Sequence, residues 1–239
     1  MQATVGTLDP ALSQPFTILP AGTTTTFAPP QQNTCRSTYD RFYATEPGVY
    51  AYWPLCEAFA LPVYYDYVGR YDWNTSAGAW FSGLNDFTPS STGPVSDGEG
   101  GVGITTAASF YASQGMILNA NAGTVAVWAN TDADQYLNSM LAFEASSGKS
   151  KIWLAALSKS NGTCFEGEWI NTAGAAFTTT PACGFQPGTW HRVALTWAVH
   201  QLTLYVDGVA AGIGSYDGGL DHEVFVYRLF RRPATTVRL

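Results

Sequence analysis

The chain has 239 residues, of which 46% are hydrophobic and 14% aromatic, while only 12% are charged. This composition excludes a disordered chain and a coiled coil, and the length allows one large β domain or two small ones. The net charge is −7, and no clustered basic surface for a phosphate backbone is visible, so nucleic acid is not expected as a partner. No apolar run reaches the roughly 18 residues that a membrane helix needs, so no membrane span is expected.

Residues 1–47 predict an extended arm. The segment is rich in proline and threonine and has little apolar periodicity. Proline removes a backbone donor and pushes its predecessor toward extended conformations, so a helix is not expected. Residues 1–16 also lack the basic and apolar regions of a signal peptide. We expect the arm to lie on its own domain or on a neighbouring subunit, because polar terminal segments are ordered only when they are tied down.

From residue 48 onward the pattern is typical of short β-strands separated by Gly, Asn, Asp and Pro. Strands are predicted over residues 49–53, 115–119, 123–130, 137–144, 150–157, 162–169, 191–199, 201–208 and 222–230. Several alternate with period two, as Val193, Leu195 and Trp197 do. Reversals are predicted around residues 146–150 and 199–201, and Asp207-Gly208 indicates a type I′ turn. The pattern predicts an antiparallel sandwich or barrel over residues 48–239.

An aromatic-rich insert at residues 64–94 interrupts this pattern. It shows no clear periodicity, and a connection of this length inside a compact domain is usually functional. Aromatic side chains alternate there with Asp and Asn, a composition that suits stacking on sugar faces and pairing with hydroxyl groups. The candidate residues for binding a glycan or a protein partner are Tyr65, Tyr67, Tyr71, Trp73 and Trp80. Packing on the sandwich, or contact with another subunit, is the alternative interpretation.

The four cysteines allow three disulfide connectivities. Their spacing favours the two local pairs, Cys35 with Cys56 and Cys164 with Cys183, each closing a loop of about 20 residues. Free buried thiols are the main alternative. A zinc site is disfavoured because the chain has no C-x-x-C and its histidines are not spaced as ligands. An oxidising final environment follows only if the disulfides form.

Residues 188–212, GTWHRVALTWAVHQLTLYVDGVAAG, resemble a segment of the laminin G-like and pentraxin-like branch of the concanavalin A-like lectin/glucanase superfamily. Residues 48–55 look like the opening strand of that family, residues 123–130 like its central strand and residues 217–233 like its closing strand. The resemblance implies an all-β fold, a two-sheet antiparallel jelly-roll sandwich, here with an extended N-terminal arm and the insert.

The resemblance also implies two kinds of site. Many relatives bind calcium after the opening strand and on the closing strand, positions that Asp66 and either Asp221 or Glu223 hold here. Glucanases of this fold use two carboxylates about 5 to 9 Å apart, and the comparable pair is Glu166 and Glu168. This strand, however, is not where the laminarinase-type motif would fall, and Gly167 replaces the intervening aspartate of that motif. An exposed strand face that carries two glutamates explains the pair equally well.

The sequence therefore favours a protein that is not an enzyme, a non-catalytic interaction or structural module of an extracellular or virion-surface assembly. Its expected partners are other protein subunits, with glycans as a further candidate. One alternative is a secreted, calcium-dependent carbohydrate-binding lectin, with calcium as its cofactor. A second alternative is a glycoside hydrolase.

Overall fold

The structure is a computed structural model of the chain. It describes residues 45–54, 63–64, 66–68, 73–74, 87–90, 101–104, 108–116, 118–131, 138–145, 149–159, 162–221, 224–229 and 235–238. Of the predicted arm it describes residues 45–47, and the contacts expected of residues 1–44 lie outside the described residues. No helix in the described part of the chain is long and apolar enough to cross a membrane.

The regular structure that the described residues form is almost entirely β. The strands are β1 (Val63–Tyr64), β2 (Trp73–Asn74), β3 (Phe87–Ser90), β4 (Gly101–Ile104), β5 (Ala108–Met116), β6 (Ala122–Thr131), β7 (Asn138–Ala145), β8 (Lys151–Lys159), β9 (Gly162–Ile170), β10 (Ala176–Thr178), β11 (Ala182–Phe185), β12 (Trp190–Ala198), β13 (Gln201–Val206), β14 (Val209–Ser215), β15 (Val224–Leu229) and β16 (Thr235–Arg238).

The strands form two antiparallel sheets. One has nine strands, in the order β1-β2-β5-β15-β7-β8-β9-β10, with β11 also paired to β9. The other has seven, in the order β14-β13-β12-β6-β16-β4-β3. The prediction of an all-β, two-sheet antiparallel sandwich is confirmed. Strands that are distant in the sequence pair with each other, as β5 does with β15 and β6 with β16, and such crossovers follow the jelly-roll pattern.

Alternation in the seven-stranded sheet follows the sequence pattern. Val193, Leu195 and Trp197 of β12 are 0%, 0% and 2% exposed, as expected for one buried face. The predicted type I′ turn is confirmed, because Asp207 and Gly208 have φ of 52° and 82° between β13 and β14. The preceding hairpin, in contrast, closes through two residues rather than three, since Ala198 pairs with Gln201.

The core lies between the two sheets. Trp169 of β9 packs against Trp197 of β12 with ring centres 5.9 Å apart, and against Tyr216 at 4.4 Å. The hydroxyl groups of Thr131 and Thr163 hydrogen-bond between the sheets at 3.2 Å. These contacts join β9 to the seven-stranded sheet, so the inward face of β9 is fixed and its other face is directed outward.

Two glycines of β14 allow the connection between β10 and β11 to lie against the edge of the other sheet. A β-carbon at Gly212 would collide with the carbonyl oxygen of Thr180, and one at Gly214 with that of Thr178. The Thr180 N–H donates to the Ile213 carbonyl at 3.0 Å. The exposed edge of β14 is thereby covered at its centre, which limits pairing with other chains.

The predicted opening strand at residues 49–53 is wrong: this stretch has no strand structure. The Tyr52 N–H donates to Asp66 Oδ1 at 2.8 Å, and the Tyr52 carbonyl accepts the Tyr67 N–H at 2.9 Å. The backbone N–H and carbonyl of Tyr52 are therefore hydrogen-bonded to Asp66 and Tyr67, and not to a neighbouring strand. The apolar pattern still identified core residues, because Tyr52 and Trp53 are 6% and 4% exposed.

Two other segments differ from the prediction. The insert at residues 64–94, interpreted as a loop, contains the short strands β2 and β3. The strand predicted at residues 115–119 overlaps only the end of a longer strand, β5, which begins at Ala108 and ends at Met116. Periodicity missed these strands because they are short or contain few apolar residues.

Candidate functional site

The outward side of the nine-stranded sheet carries a group of polar and aromatic side chains on β8 and β9. Alternate residues of these strands are buried in the core, namely Ile152, Leu154, Phe165, Gly167 and Trp169. Because side chains alternate across a strand, the residues between them face outward. Four of these, Lys151, Trp153, Glu166 and Glu168, are half-buried and are called the outer cluster below. The prediction that both glutamates share one face is confirmed.

A lysine connects the aromatic and acidic parts of the outer cluster. Strand register places Trp153 directly opposite Glu168. Lys151 Nζ lies 3.7 Å from Glu168 Oε2 and 4.4 Å from the centre of the Trp153 ring. The first distance is that of an ion pair, and the second is within the range of a cation–π interaction. One ammonium group therefore contacts both residues.

Burial raises the pKa of Glu168 above its ordinary value. The nearby charge of Glu166 raises this pKa further, whereas the ammonium of Lys151 lowers it, and burial is the largest effect. Carboxyl groups with a raised pKa cluster at functional sites, because such sites use burial and neighbouring charges to shift the pKa, and ion-pair networks that serve only structure shift it as well. The outer cluster therefore combines an aromatic ring, an ammonium group and a perturbed carboxyl group.

Two polar atoms of the outer cluster are buried without a hydrogen-bond partner within 3.5 Å, Trp153 Nε1 and Glu168 Oε2, and the second of these is ion-paired with Lys151 at 3.7 Å. In the described part of the chain Trp169 Nε1 and His191 Nε2 share this property. Trp169 is buried and packs on Trp197, and the half-buried His191 packs on Phe165. A buried donor or acceptor without a partner costs stability. In the outer cluster a donor and an acceptor of this kind lie on directly opposite residues.

An apolar cavity of about 540 Å³ lies elsewhere, between residues 48–53 and β6. Its described lining includes Trp53, Phe143 and Trp197 but no carboxylate. The Trp197 Nε1 donates to the Asn119 carbonyl at 2.7 Å, so this indole is already satisfied. The cavity has the volume of a ligand site, and its lining includes Asn119, Thr124 and Arg192 beside the aromatic side chains, but no side chain of this lining has a buried polar atom without a hydrogen-bond partner. The outer cluster is therefore the better candidate site.

The predicted aromatic site of the insert is described only in small part. Tyr65, Tyr71 and Trp80 lie outside the described residues. Trp73 lies in β2, where its backbone pairs with Ala112 of β5, and its side chain is outside the description. Tyr67 is half-buried. A role for these residues in binding a glycan or a partner stays a prediction.

The residues predicted to bind calcium are not seen together. Asp66 is 6% exposed, and its Oδ1 accepts the N–H groups of Tyr52 and Val68. The Asp221 N–H donates to Ser150 Oγ at 3.0 Å, and Glu223 lies outside the described residues. Among the residues that are described, no group of three or more His, Cys, Asp or Glu side chains could hold a metal ion. Asp66 organises the backbone, and calcium binding stays a prediction.

The predicted pair of Cys164 and Cys183 is confirmed as a disulfide. The two residues face each other in register on β9 and β11, with a Cα–Cα distance of 3.9 Å. The bridge therefore fastens β11 to β9, the strand that carries Glu166 and Glu168 of the outer cluster. Cys35 and Cys56 lie outside the described residues, so their pairing stays a prediction.

Sequence reasoning identified Glu166 and Glu168 but missed Lys151 and Trp153. The residues at the junction of the two predicted strands, Ser160, Asn161 and Gly162, carry one signal. Asn and Gly at this point indicate a tight hairpin. With Asn161 and Gly162 as the two central residues, Ser160 would pair with Thr163 and Trp153 would lie opposite Ile170. The observed register pairs Lys159 with Gly162 and Trp153 with Glu168, so the sequence signals the hairpin but not this register.

Comparison with known proteins gives one family and a set of similar folds. A family model described as the concanavalin A-like lectin/glucanases superfamily matches residues 98–229. The globular domain of calreticulin from T. cruzi is 12% identical, with 64% of this chain and 76% of that chain covered and a TM-score of 0.49. A carbohydrate binding module from Bacillus subtilis is 10% identical, with 63% and 95% covered and a TM-score of 0.38. A beta-glucanase from Bacillus licheniformis is 12% identical, with 79% and 94% covered and a TM-score of 0.48.

A search of curated proteins found no match.

Proposed function

The chain belongs to the concanavalin A-like lectin/glucanases superfamily, and we propose that it is a non-catalytic glycan-binding module that works outside the cell. The outer cluster is the proposed binding site. The observation that carries the proposal is the buried Trp153 N–H, which has no hydrogen-bond partner and lies on a half-buried indole ring opposite the Glu168 carboxyl group that Lys151 pairs with.

A sugar offers the groups that the outer cluster needs. Its C–H face stacks on an aromatic ring, and its hydroxyl groups both donate and accept hydrogen bonds. One hydroxyl oxygen would accept the Trp153 N–H, and another hydroxyl group would donate to Glu168 Oε2. Lys151 contacts both residues, so its side chain has to swing aside before a ligand reaches them.

Two features support a binding role without catalysis. Lys151 pairs with Glu168, which opposes the protonation that a general acid needs. Gly167 lies between the two glutamates, whereas the laminarinase-type motif that the resemblance implies has an aspartate between its carboxylates. We therefore propose that Glu166 and Glu168 recognise a ligand and do not cleave it.

The disulfide between Cys164 and Cys183 supports an extracellular location, because disulfides persist in oxidising compartments. The more specific role in a virion-surface or other assembly stays a prediction. It depends on the arm at residues 1–47, and light scattering at low protein concentration tests it. An oligomer that dissociates when residues 1–44 are removed would support the assembly role, whereas a monomer with the complete arm would contradict it.

A glycan array followed by isothermal titration calorimetry tests the proposed function. We expect binding to at least one glycan class by the wild type and a loss of about fivefold or more in Trp153→Ala, because stacking contributes about 1 kcal/mol or more. Trp190→Ala is the matched control, since Trp190 is a half-buried tryptophan of the other sheet. The absence of any glycan ligand would contradict the proposal. A parallel array with chelator tests the calcium-dependent lectin, which requires binding to disappear.

One observation favours a second candidate, a glycoside hydrolase. The raised pKa of Glu168, next to Glu166, is the property of a general acid paired with a second carboxylate. Release of reducing sugar from a polysaccharide panel tests this candidate. Activity that falls at least a hundredfold in Glu168→Gln and Glu166→Gln would establish hydrolysis, and activity unchanged in both variants would exclude these residues as catalysts.

A further inference from the structure

Part of strand β6 has a neighbouring strand on one side only. On that side β12 pairs along its whole length with residues 122–130. On the other side β16 pairs with residues 128–131 alone. None of the strands in the described part of the chain pairs with residues 122–127 on this second side. Alternate backbone N–H and carbonyl groups of residues 122–127 therefore point to a vacant strand position, which is called the open edge below.

The apolar cavity of about 540 Å³ lies along the open edge. Its lining includes residues 122–128 without interruption. Val125 and Val127 are buried and face the core, whereas Thr124 and Ala126, which alternate with them, face the other way. A cavity that is lined by both faces of one strand lies at the edge of that strand. The unpaired backbone groups and the cavity therefore belong to one site.

This site is suited to an extended chain that carries an apolar side chain. The aromatic side chains of Trp53, Phe143 and Trp197 line the cavity, and no carboxylate is part of its described lining. Protein interiors contain few voids larger than a water molecule, and native proteins usually cover their strand edges. An added strand does both, because its backbone bonds to the edge while alternate side chains enter the pockets beside it.

The chain itself holds an uncharged segment tethered beside the open edge. The described chain begins at residue 45, and Gly48 already lines the cavity. Residues 1–44 are therefore attached next to this site. Within them, residues 10–34 contain no Asp, Glu, Lys or Arg. This suits a cavity whose described lining holds one charged side chain, Arg192.

Residues 23–28, TTTTFA, have the composition of a strand within that uncharged stretch. All but the last are β-branched or aromatic, the residue types that are enriched in strands. Pro20 and Pro29 lie on either side, and proline does not continue a strand that is paired. The segment has the same number of residues as the open edge, so it covers residues 122–127 completely.

Other stretches of residues 1–44 fit the open edge less well. Residues 16–19, FTIL, lie between two prolines and are two residues too short. Residues 31–44 carry two arginines and an aspartate, and burying a charge without a partner in an apolar cavity is costly. Residues 1–9 contain a glycine, which weakens a strand, and end in an aspartate.

We propose that residues 23–28 dock on the open edge of their own chain as an additional strand, with Phe27 in the apolar cavity. Residues 29–44 connect the two and reach roughly 50 Å when extended, whereas the open edge is about 17 Å long. A tether of this length gives the segment a high effective concentration, which favours its own chain over a second copy. The site is on the other sheet from the outer cluster, so the inference is independent of glycan binding.

Hydrogen exchange of the full-length protein, followed by NMR, tests the inference. In the wild type, we expect slow exchange at those amides of residues 122–127 that point to the open edge. Phe27→Ser should speed their exchange at least tenfold, because the docked segment loses its apolar anchor. Phe16→Ser is the matched control, since it changes a phenylalanine outside the segment, and it should have no effect. Residues 201–206 of β13, which pair on both sides, should exchange equally in all three proteins and thereby show that the fold is intact.

Nuclear Overhauser contacts identify the docked segment and its chain. We expect contacts between the backbone protons of residues 23–28 and 122–127. In an equal mixture of isotope-labelled and unlabelled protein, isotope-filtered spectra should show these contacts only within a chain.

Every other outcome contradicts the inference. Fast exchange at all amides of residues 122–127 in the wild type would show that the open edge is uncovered. Contacts of the open edge with another part of residues 1–44, or equal effects of Phe27→Ser and Phe16→Ser, would show that the segment is wrong. Contacts between labelled and unlabelled chains would overturn docking within one chain and support the assembly role of the arm instead.

Discussion

Gly167 of β9 faces Leu195 of β12 across the sandwich, so closely that a β-carbon at residue 167 would lie 2.5 Å from Leu195 Cδ1. The glycine therefore fills the core position between two outward glutamates. Because neighbours on a strand point to opposite faces, the inward direction of Gly167 fixes the outward direction of Glu166 and Glu168. The packing of the sheets and the geometry of the outer cluster thus depend on the same three residues.

Gly167→Ala should destabilise the fold by about 1–3 kcal/mol, because the added methyl group overpacks the contact with Leu195. Urea unfolding followed by tryptophan fluorescence measures the change. Gly219→Ala is the control, since no atom lies within 4 Å of the added β-carbon there. Equal stability of Gly167→Ala and the wild type would show that the sheets are more widely separated than described.

Asn171→Ala should cost about 2–3 kcal/mol. Asn171 is 8% exposed, its Oδ1 accepts the N–H groups of Ala173 and Ala175, and its Nδ2 donates to the Asp217 carbonyl. Alanine leaves all three groups without these bonds in the turn after β9.

The same unfolding measurement compares this variant with Asn130→Ala. The Asn130 side chain makes one exposed hydrogen bond, to the Gly188 carbonyl. The loss of this bond should cost about 1 kcal/mol or less. Similar costs for the two variants would contradict the structural role given to Asn171.

Loss of the disulfide should destabilise the protein by about 3 kcal/mol, because the bridge closes a loop between residues 19 apart in sequence. The double variant Cys164→Ala, Cys183→Ala leaves no unpaired thiol from this bridge and is compared with the wild type under non-reducing conditions. A loss of stability below about 0.5 kcal/mol in the double variant would contradict the expected constraint on the unfolded chain.

Glu168→Gln should change how stability depends on pH. A carboxyl group whose pKa is higher in the fold than its ordinary value of 4.5 holds its proton more tightly when folded. Its contribution to stability is therefore present at low pH and is lost as the pH rises through the folded pKa. Glutamine does not titrate, so the variant should gain stability relative to the wild type between pH 4 and pH 7.

Denaturant unfolding of both proteins at pH 4 and pH 7 measures this gain. Glu166→Gln provides the comparison on the same strand. A difference between Glu168→Gln and the wild type that stays constant over this range would show that burial does not raise the pKa of Glu168.

The fold was largely predictable because side-chain parity in strands is a local property. Val193, Leu195 and Trp197 alternate in the sequence and are buried together in the structure. The error at residues 49–53 has a nonlocal cause. Their pattern is that of a strand, but the Asp66 carboxylate accepts the Tyr52 N–H, and no pattern within residues 49–53 reveals a hydrogen bond from residue 66.

The candidate site was predictable only in part for a related reason. Parity placed Glu166 and Glu168 on one face, but it cannot identify which residue of a neighbouring strand lies opposite. That depends on register, which here pairs Trp153 with Glu168. The perturbed pKa of Glu168 results from the burial that this packing produces, so it is visible only in three dimensions.

The most direct test of the account is the NMR signal of the Trp153 indole N–H during a glycan titration. The ¹⁵N-labelled protein gives one such signal for each tryptophan, and Trp153→Phe assigns the one required. We predict that the Trp153 signal shifts on saturation, because Nε1 gains a hydrogen-bond partner, while the signal of Trp169 in the core stays unchanged. A bound glycan that leaves the Trp153 signal unmoved would contradict the outer cluster as the binding site.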